Sequence, residues 1–339
     1  MQRPLPGARF HLVRARIAWA DGSRSEGWGR DAELAVAQRK AGAEAVERQA
    51  CSRLPPSAWL AQGRWWVPAL SQDGRSVAVM ADLVCLPRAF PAGYRPGTEA
   101  TSSGCASGST PAEAIHRATL ELVERDAFMR HWFAQQPGRA VDETTLPASI
   151  AAHLVELRRR GCDAGLQCLT LGCAPVLFAW ARDARRGFTC VGAACALDAE
   201  AAALAALQEM ETFALARVEG LPAERIDPSQ VRSPADHGAL YADPRWFDRA
   251  DAILLHTPGP ALSWPGLQAA CAAHPTVLRE PLQWVDLSLP DAANFLEGAP
   301  LFTVRVLAPG LVPVAFGPRQ PYAMVDRVAP GGRFPHPFA

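Results

Sequence analysis

Two stretches of the chain repeat one arrangement of charged residues, Glu-x-x-Glu-Arg, at Glu44–Arg48 and Glu121–Arg125. On a helix, carboxylates three residues apart point the same way, and paired oxygen ligands suit a hard cation such as Mg²⁺. The alternative is a solvated stripe of ion pairs, Glu113–Arg117 and Glu121–Arg125, each worth a few tenths of a kcal/mol. A single copy favours the stripe, and the second copy shifts the balance towards a metal site.

A third, altered copy follows Asp198, which is placed to cap a helix. Glu209 occupies the first glutamate position, but Thr212 and Phe213 replace the following Glu-Arg pair. Three helices of one design predict a shared site where their carboxylates converge. Converging carboxylates repel each other unless cations lie between them. Magnesium with a polyphosphate fits best, since protein magnesium is usually held by one or two carboxylates plus substrate phosphates.

The second copy lies on a helix with clear boundary signals. Thr110 is a good N-cap, Pro111 suits the first helical position, and Glu113 is placed for a capping box. The chain from Leu86 to Pro111 is rich in Pro, Gly and Ser and predicts a loop. Small residues at Ser102–Gly108 allow backbone to approach a ligand, and the helix after them offers its N-terminus to anions.

These stretches resemble the YcaO family. The resemblance rests on KAGAEAVER, on SSGCASGSTPAEAIHRATLELVERDA, and on the third helix, which is similar to the family's A-x-x-x-A-L-x-E-x-x-Q segment. LFTVRVLAPGLVPVAFG resembles the family's last strands, which lead into a P-x-P-x-P tail. The resemblance extends from about Leu12 to the end of the chain.

The resemblance also implies site residues. It implies ATP and Mg²⁺ as cofactors, with metal ligands at Glu44, Glu47, Glu121, Glu124 and Glu209. It implies nucleotide contacts from those five glutamates and from Arg30, Lys40, Arg48, Ser103, Arg125 and Thr212. It further implies that the C-terminal carboxylate, here on Ala339, acts as a catalytic base.

This chain departs from the family pattern at three places. Lys40 replaces a serine, and it could reach a phosphate as a point charge or pair with Glu44. Thr212 stands where family members often have Gln or Glu, which predicts a weakened or water-mediated contact. The tail is Pro335-His336-Pro337-Phe338-Ala339, so the last proline of the family's tail is missing.

The activity implied by the resemblance is ATP-dependent cyclodehydration of a ribosomally synthesised precursor peptide. A Cys, Ser or Thr side chain adds to a backbone amide, whose oxygen leaves as phosphate, and a thiazoline or oxazoline forms. Two alternatives stay open: thioamide or amidine formation, and a catalytically silent scaffold that binds precursor or partner. Because no separate leader-binding domain is seen, we expect an E1-like or ThiF-like partner, and a homodimer is possible.

Composition narrows the class of protein. The formal net charge is zero, which argues against a polyanion partner such as nucleic acid. Nine cysteines without paired spacing predict reduced, mostly buried thiols in a cytoplasmic protein. No apolar run is long enough to cross a membrane.

The pattern of elements predicts an α+β fold: antiparallel-rich sheets with repeated carboxylate-bearing helices converging on an ATP site. We expect one catalytic domain over 1–339 with a Pro/Gly-rich tail from about 318. Predicted helices span about 32–50, 111–136, 147–161 and 199–218, with further helical segments near 264–274 and 290–297. Predicted strands lie at 9–19, in a hairpin within 63–85, in a meander at 164–171, 175–182 and 187–196, and as two strands within 300–317. The turn around 21–29 and the stretch 221–265 are predicted to be mostly loops.

Overall fold

A computed structural model describes residues 7–98, 100–170, 174–255, 258–273, 281–292 and 300–338. The chain forms two compact units. Unit 1 consists mainly of Phe10–Leu122 and Arg279–Leu311, and unit 2 mainly of Val123–Leu278 and Val312–Ala339. The prediction of one catalytic domain over 1–339 stays a prediction.

The described residues contain twelve strands and seven α-helices. The strands are β1 His11–Ala18, β2 Arg24–Asp31, β3 Trp59–Ala61, β4 Arg64–Ser71, β5 Ser76–Met80, β6 Cys105–Gly108, β7 Arg139–Ala140, β8 Asp163–Thr170, β9 Val176–Asp183, β10 Phe188–Cys195, β11 Gln283–Asp286 and β12 Phe302–Leu307. The helices are α1 Leu34–Ala50, α2 Pro111–Ala134, α3 Ala148–Arg159, α4 Ala199–Val218, α5 Pro234–Leu240, α6 Asp251–Leu254 and α7 Trp264–Ala273. No helix in this described part is long and apolar enough to cross a membrane.

Unit 1 contains two antiparallel sheets. Strands β1 and β2 form a hairpin, and six strands form a sheet in the order β3-β4-β11-β12-β6 with β5 beside β4. Helix α1 is rich in alanine, which favours helix and lets it lie close to β2. Its buried side, including Val46, joins Val67, Val84 and Val285 in one apolar core.

Unit 2 is built around a four-stranded antiparallel sheet in the order β10-β9-β8-β7. Helices α3, α4 and α7 contribute to one apolar cluster with this sheet, which includes Leu154, Leu177 and Leu207. A second cluster joins Phe128 of α2, Phe178 of β9, Val191 of β10 and Phe338 near the C-terminus. Asp198 caps α4 as predicted, accepting hydrogen bonds from the N–H groups of Glu200 and Ala201.

The α+β prediction is confirmed, and the long helices and the meander of β8, β9 and β10 lie where the periodicity places them. One prediction was wrong: the turn around 21–29 is mostly strand β2. Two others hold in part, since the predicted loop from Leu86 to Pro111 is interrupted by β6 and the mostly-loop stretch 221–265 also contains α5 and α6. In β2 and β6 the small and polar residues that suggest loop allow close packing against helices.

The two strands predicted within 300–317 reduce to β12 alone. After β12, Val312 and Val314 are buried among side chains of unit 2 and not in a sheet. The N–H of Val312 donates to the carboxylate of Asp126 at 2.8 Å, and Pro313 has no N–H to donate. These two features remove the donors that a strand at this point would need. Of the helix predicted near 290–297, a single 3₁₀ turn at Pro290–Ala292 is present, and 293–299 lies outside the described residues.

Candidate active site

Helix α1 holds its two glutamates against strands of unit 1. Glu44 accepts a hydrogen bond from the backbone N–H of Trp28 in β2. It also forms an ion pair with Arg48, one turn later in the same helix. Glu47 accepts from the backbone N–H of Ser107 in β6 at 2.7 Å. One helix therefore presents two carboxylates that are fixed by backbone donors rather than free to rotate.

Helix α2 brings a third carboxylate to the same place. Glu121 accepts from the N–H of Gly104, three residues before the Ser107 that binds Glu47, at 2.8 Å. Ser103 is buried beside it, and its hydroxyl accepts from Thr101 Oγ1 at 2.9 Å. The small residues before α2 thus serve as a shared anchor for glutamates of two helices.

Charge accumulates at this anchor. The pKa of Glu47 lies well above its usual range, first because the carboxyl is removed from water and then because Glu121 and Glu44 lie near it. The hydrogen bond from Ser107 acts in the opposite direction but does not outweigh burial. A buried carboxyl whose pKa is raised further by neighbouring carboxylates is an arrangement that a divalent cation relieves.

A buried arginine, which the sequence analysis did not identify, contacts the segment that precedes Gly104. Arg305 lies in β12 at 5% exposure and donates to the backbone carbonyl of Thr101. Beside it, Cys51 and Cys105 are buried, and the Cys105 thiol lowers the pKa of Cys51, as does the positive charge of Arg305. The signal in the sequence is one arginine inside the apolar run LFTVRVL. The eight described cysteines are free thiols.

The third carboxylate helix lies in unit 2. Glu209 of α4 accepts from the N–H of Ala193 in β10 at 3.0 Å, just as Glu44 accepts from Trp28. The hydroxyl of Thr212 donates to the carbonyl of Gln208 in its own helix at 2.7 Å. Such a bond back to the preceding turn engages the hydroxyl hydrogen.

The second half of α2 belongs to unit 2 and carries Glu124 and Arg125. Their side chains are 12% and 17% exposed, with Arg125 Nη1 3.4 Å from Glu124 Oε1. The Arg125 guanidinium also lies 4.4 Å from the ring centroid of Phe338, in the C-terminal tail. At the start of the same helix Thr110 caps as predicted, while Glu113 reaches Ser109 and pairs with Arg117.

Lys40 pairs with Asp31 and not with Glu44. Its ammonium lies 2.7 Å from Asp31 Oδ2 and 3.2 Å from the carbonyl oxygen of Arg30. Glu44, the partner that helical spacing suggests, is engaged by Arg48. Lys40 thus ties α1 to the end of β2, close to the predicted position of Arg30 in the nucleotide site.

The C-terminal tail is packed into unit 2. His336 is buried and its Nε2 donates to the carbonyl of Ala315 at 3.0 Å. Tyr241 donates to the carbonyl of Pro335 at 2.8 Å. Ala339, the predicted catalytic base, lies outside the described residues.

The carboxylates of Glu47 and Glu121 suit a magnesium–nucleotide pair. Among the described residues, no group of three or more His, Cys, Asp and Glu side chains is placed to hold a metal ion. Glu47 and Glu121 nevertheless lie close enough to interact through their charges. Two carboxylates with phosphate oxygens completing the shell is the usual arrangement for Mg²⁺.

Solved structures share this fold. The chain is 19% identical to the YcaO protein of Methanopyrus kandleri bound with AMPPCP and Mg²⁺, with a TM-score of 0.65 over 90% of this chain and 83% of that one. It is 12% identical to a chain of the E. coli microcin synthetase McbBCD complex, with a TM-score of 0.65 over 97% and 96% of the two chains. It is 16% identical to a heterocyclase in complex with substrate and cofactor, with a TM-score of 0.65 over 96% of this chain and 54% of that one.

A curated relative and a family model extend the comparison. An uncharacterized protein in the tfuA 3′ region of Rhizobium leguminosarum bv. trifolii is 33% identical over an alignment of 142 residues, and the match covers 37% of this chain and 33% of the relative. The match therefore spans about a third of that relative's length. A family model described as YcaO cyclodehydratase, ATP- and Mg²⁺-binding, matches residues 24–312. Since that range is most of the chain, this protein belongs to the YcaO family, whose cofactors are ATP and Mg²⁺.

Proposed function

We propose that this protein is an ATP- and magnesium-dependent cyclodehydratase that forms thiazoline or oxazoline rings from Cys, Ser or Thr in a ribosomally synthesised precursor peptide. The reaction has to remove an amide oxygen, which is a very poor leaving group. Bound Mg-ATP would supply the phosphoryl group that lets this oxygen leave as phosphate. The protein has to position and neutralise charge for this reaction, and it needs no nucleophile of its own.

The observation that carries the proposal is the convergence of Glu47 and Glu121 on the backbone of the Gly104–Ser107 segment. Each carboxylate keeps one oxygen on a backbone N–H. The second oxygen of each carboxylate is our proposed magnesium ligand. Burial raises the pKa of Glu47 and the nearby charge of Glu121 adds to the shift, and this cost of an ionised Glu47 is what bound Mg²⁺ would offset.

The arginines and remaining glutamates have supporting roles in the proposal. Arg48 holds Glu44, and Arg125 lies beside Glu124, so each Glu-Arg pair is oriented before a ligand arrives. Glu209 contributes a further carboxylate held by β10. Arg30, Lys40, Ser103 and Thr212 complete the proposed nucleotide contacts, and Ala339 the proposed base.

A peptide substrate and a protein partner are part of the proposal. One similar structure is a heterocyclase complex with substrate and cofactor, and another belongs to the multi-chain McbBCD microcin synthetase. We propose a precursor peptide as substrate, with an E1-like or ThiF-like protein that binds its leader.

The test is to incubate the protein with Mg-ATP, candidate precursor peptides and the partner, and to measure peptide mass. We expect the loss of one water for each ring formed, with ATP consumed in proportion. The Glu47→Gln variant should form no product. Glu33→Gln is the matched control, since Glu33 is exposed at the start of the same helix.

Two other outcomes of this experiment would indicate a different function. Replacement of oxygen by sulfur, with the corresponding gain in mass, would show thioamide formation and not cyclisation. No mass change with retained peptide binding would show a scaffold. The engagement of Thr212 by its own helix and of Lys40 by Asp31 favours this last alternative, while the retained carboxylates oppose it.

A further inference from the structure

Unit 2 contains an open cleft of about 1040 Å³ that is separate from the carboxylate anchor of unit 1. Four arginines line it, Arg232, Arg245, Arg249 and Arg333, and one acidic residue, Asp248. The four arginines are exposed and come from separate turns and loops. A chain with zero net charge therefore concentrates positive charge in this cleft.

The four arginines differ in how their charge is used. Arg245 is neutralised by the buried carboxylate of Asp243, and Arg232 donates to the carbonyls of Ser229 and Val231. Neither Arg249 nor Arg333 forms an ion pair with any carboxylate in the part of the chain that the structure describes. Two guanidinium groups in the cleft thus keep their full charge available for a ligand.

Aromatic rings hold these two guanidinium groups in place. Arg249 lies 5.4 Å from the ring centroid of Phe334, and Arg333 lies 5.2 Å from that of Tyr322. Stacking on a ring leaves the donor edge of a guanidinium free to bind carboxylates in the bidentate manner. Because the side chains are already ordered, a ligand loses less of its binding energy to fixing them.

The walls of the cleft are apolar between the charges. Tyr322, Phe334 and four prolines, among them Pro335, contribute to the lining. Pro335 precedes His336, whose buried ring anchors the C-terminal tail. The cleft therefore borders the segment that leads to the predicted catalytic end of the chain.

We propose that this cleft binds an acidic segment of a peptide, with carboxylates on Arg249 and Arg333 and apolar side chains against Tyr322 and Phe334. An extended peptide presents charges at intervals and apolar side chains between them, which matches arginines separated by rings and prolines. A nucleotide concentrates its charge in one place and fits the layout less well. That the segment belongs to the precursor peptide rests on the function proposed above; the binding itself does not.

The experiment measures anisotropy of a fluorescein-labelled peptide that alternates glutamates with leucine and tyrosine, in the absence of ATP and magnesium. A twin peptide with glutamine at each glutamate is the charge control. The test variant is Arg249→Gln, Arg333→Gln. The control variant, Arg159→Gln, Arg185→Gln, removes the same charge from exposed positions of unit 2 outside the cleft.

We expect the acidic peptide to bind, the glutamine twin to bind at least about tenfold more weakly, and affinity to fall as salt rises. The affinity for the acidic peptide should fall roughly tenfold in the test variant and less than about twofold in the control variant. Equal binding by the two peptides, equal loss in the two variants, or displacement by ATP or inorganic phosphate at matched charge would overturn the proposal. Glu47→Gln should bind the peptide normally, so failure here and failure of the proposed reaction are distinguishable.

Discussion

Two regions of the molecule share one design and differ in their charged residues. The first module, β1-β2-α1 in unit 1, and the second module, β9-β10-α4 in unit 2, are each an antiparallel hairpin followed by a helix packed on its second strand. In each, a glycine of that strand, Gly27 or Gly192, faces the helix backbone so closely that a Cβ would collide with a carbonyl oxygen. The residue after each glycine donates its N–H to a helix glutamate.

The difference lies one turn further along each helix. The first module continues with Glu47 and Arg48, whereas the second has Thr212 and Phe213 at the corresponding positions. The hairpin–helix packing is the same with and without that Glu-Arg pair. The first glutamate of each helix is thus part of how helix and strand join, and the second is an addition that the packing does not require.

The surroundings of the two modules also differ. The hairpin of the first module is a separate two-stranded sheet whose side chains in β1 are partly or fully exposed. The hairpin of the second module lies inside a four-stranded sheet, with Phe178 and Val191 covered by a cluster that includes Phe338 of the tail. The second module is therefore covered by apolar packing, whereas the first module carries an additional pair of charged residues.

The largest expected effect tests the shared packing. Gly27→Ala and Gly192→Ala should each lower the free energy of unfolding by about 3 kcal/mol, because the added methyl meets helix backbone that cannot move aside. Chemical denaturation of the two variants measures this.

Gly97→Ala is the control, since its new Cβ would meet only the flexible end of Arg64. A loss below about 1 kcal/mol at either module glycine would show that helix and strand are not locked as described.

The next effect tests the added glutamate. Glu47→Gln should weaken Mg-ATP binding at least tenfold, or about 1.4 kcal/mol, because a carboxylate is lost while the acceptor for the Ser107 N–H is kept. Burial raises the pKa of Glu47, so this carboxyl costs stability once pH exceeds its ordinary pKa, and the metal-free variant should melt no lower than the parent at neutral pH.

Calorimetry of Mg-ATP binding and a thermal melt separate these two effects. The Glu121→Gln, Glu124→Gln double variant should lose binding as well, while Glu33→Gln should match the parent. If Glu47→Gln bound Mg-ATP with the affinity of the parent, the Glu47 carboxylate would not be part of the nucleotide site.

The sequence predicted what depends on neighbours along the chain. The second carboxylate helix starts at Pro111, directly after its predicted cap Thr110, and α4 spans the predicted range, because caps and apolar period are local signals. Contacts between distant residues were not predictable in this way. The bond from Ser107 to Glu47 spans 60 residues, and the strand that provides it was predicted to be a loop.

A third, smaller effect concerns the cover over the second module. The rings of His237 and His336 are buried and stacked 4.1 Å apart, and His237 donates to the backbone carbonyl of His336. Burial lowers the pKa of His237 to about 4 and that of His336 well below its usual range. Asp236 acts against the shift of His237, and Arg125 adds to that of His336.

Because both pKa values fall on folding, protons bind the unfolded chain more tightly. Stability should be full above about pH 7.5, fall by roughly 1 kcal/mol between pH 7 and pH 6, and fall further below that. Melting curves across this range measure it, and His237→Gln should flatten the dependence while exposed His11→Gln should not. A parent whose melting temperature is constant from pH 7 to 5 would contradict the neutral, buried histidine pair.

The smallest expected effect concerns the second glutamate, which is present in the first module and absent from the second. Thr212→Glu places a second glutamate on α4 and removes a hydroxyl bond to the preceding turn, a type of bond that contributes little to helix stability. If position 212 faces the nucleotide as position 47 is proposed to do, the added charge should raise Mg-ATP affinity by about threefold, or roughly 0.6 kcal/mol. Thr212→Gln, which is uncharged, serves as the control and should change affinity less. A gain in Thr212→Glu alone would mean that position 212 on α4 contributes to nucleotide binding; equal affinities in parent and both variants would mean that position 212 does not contribute.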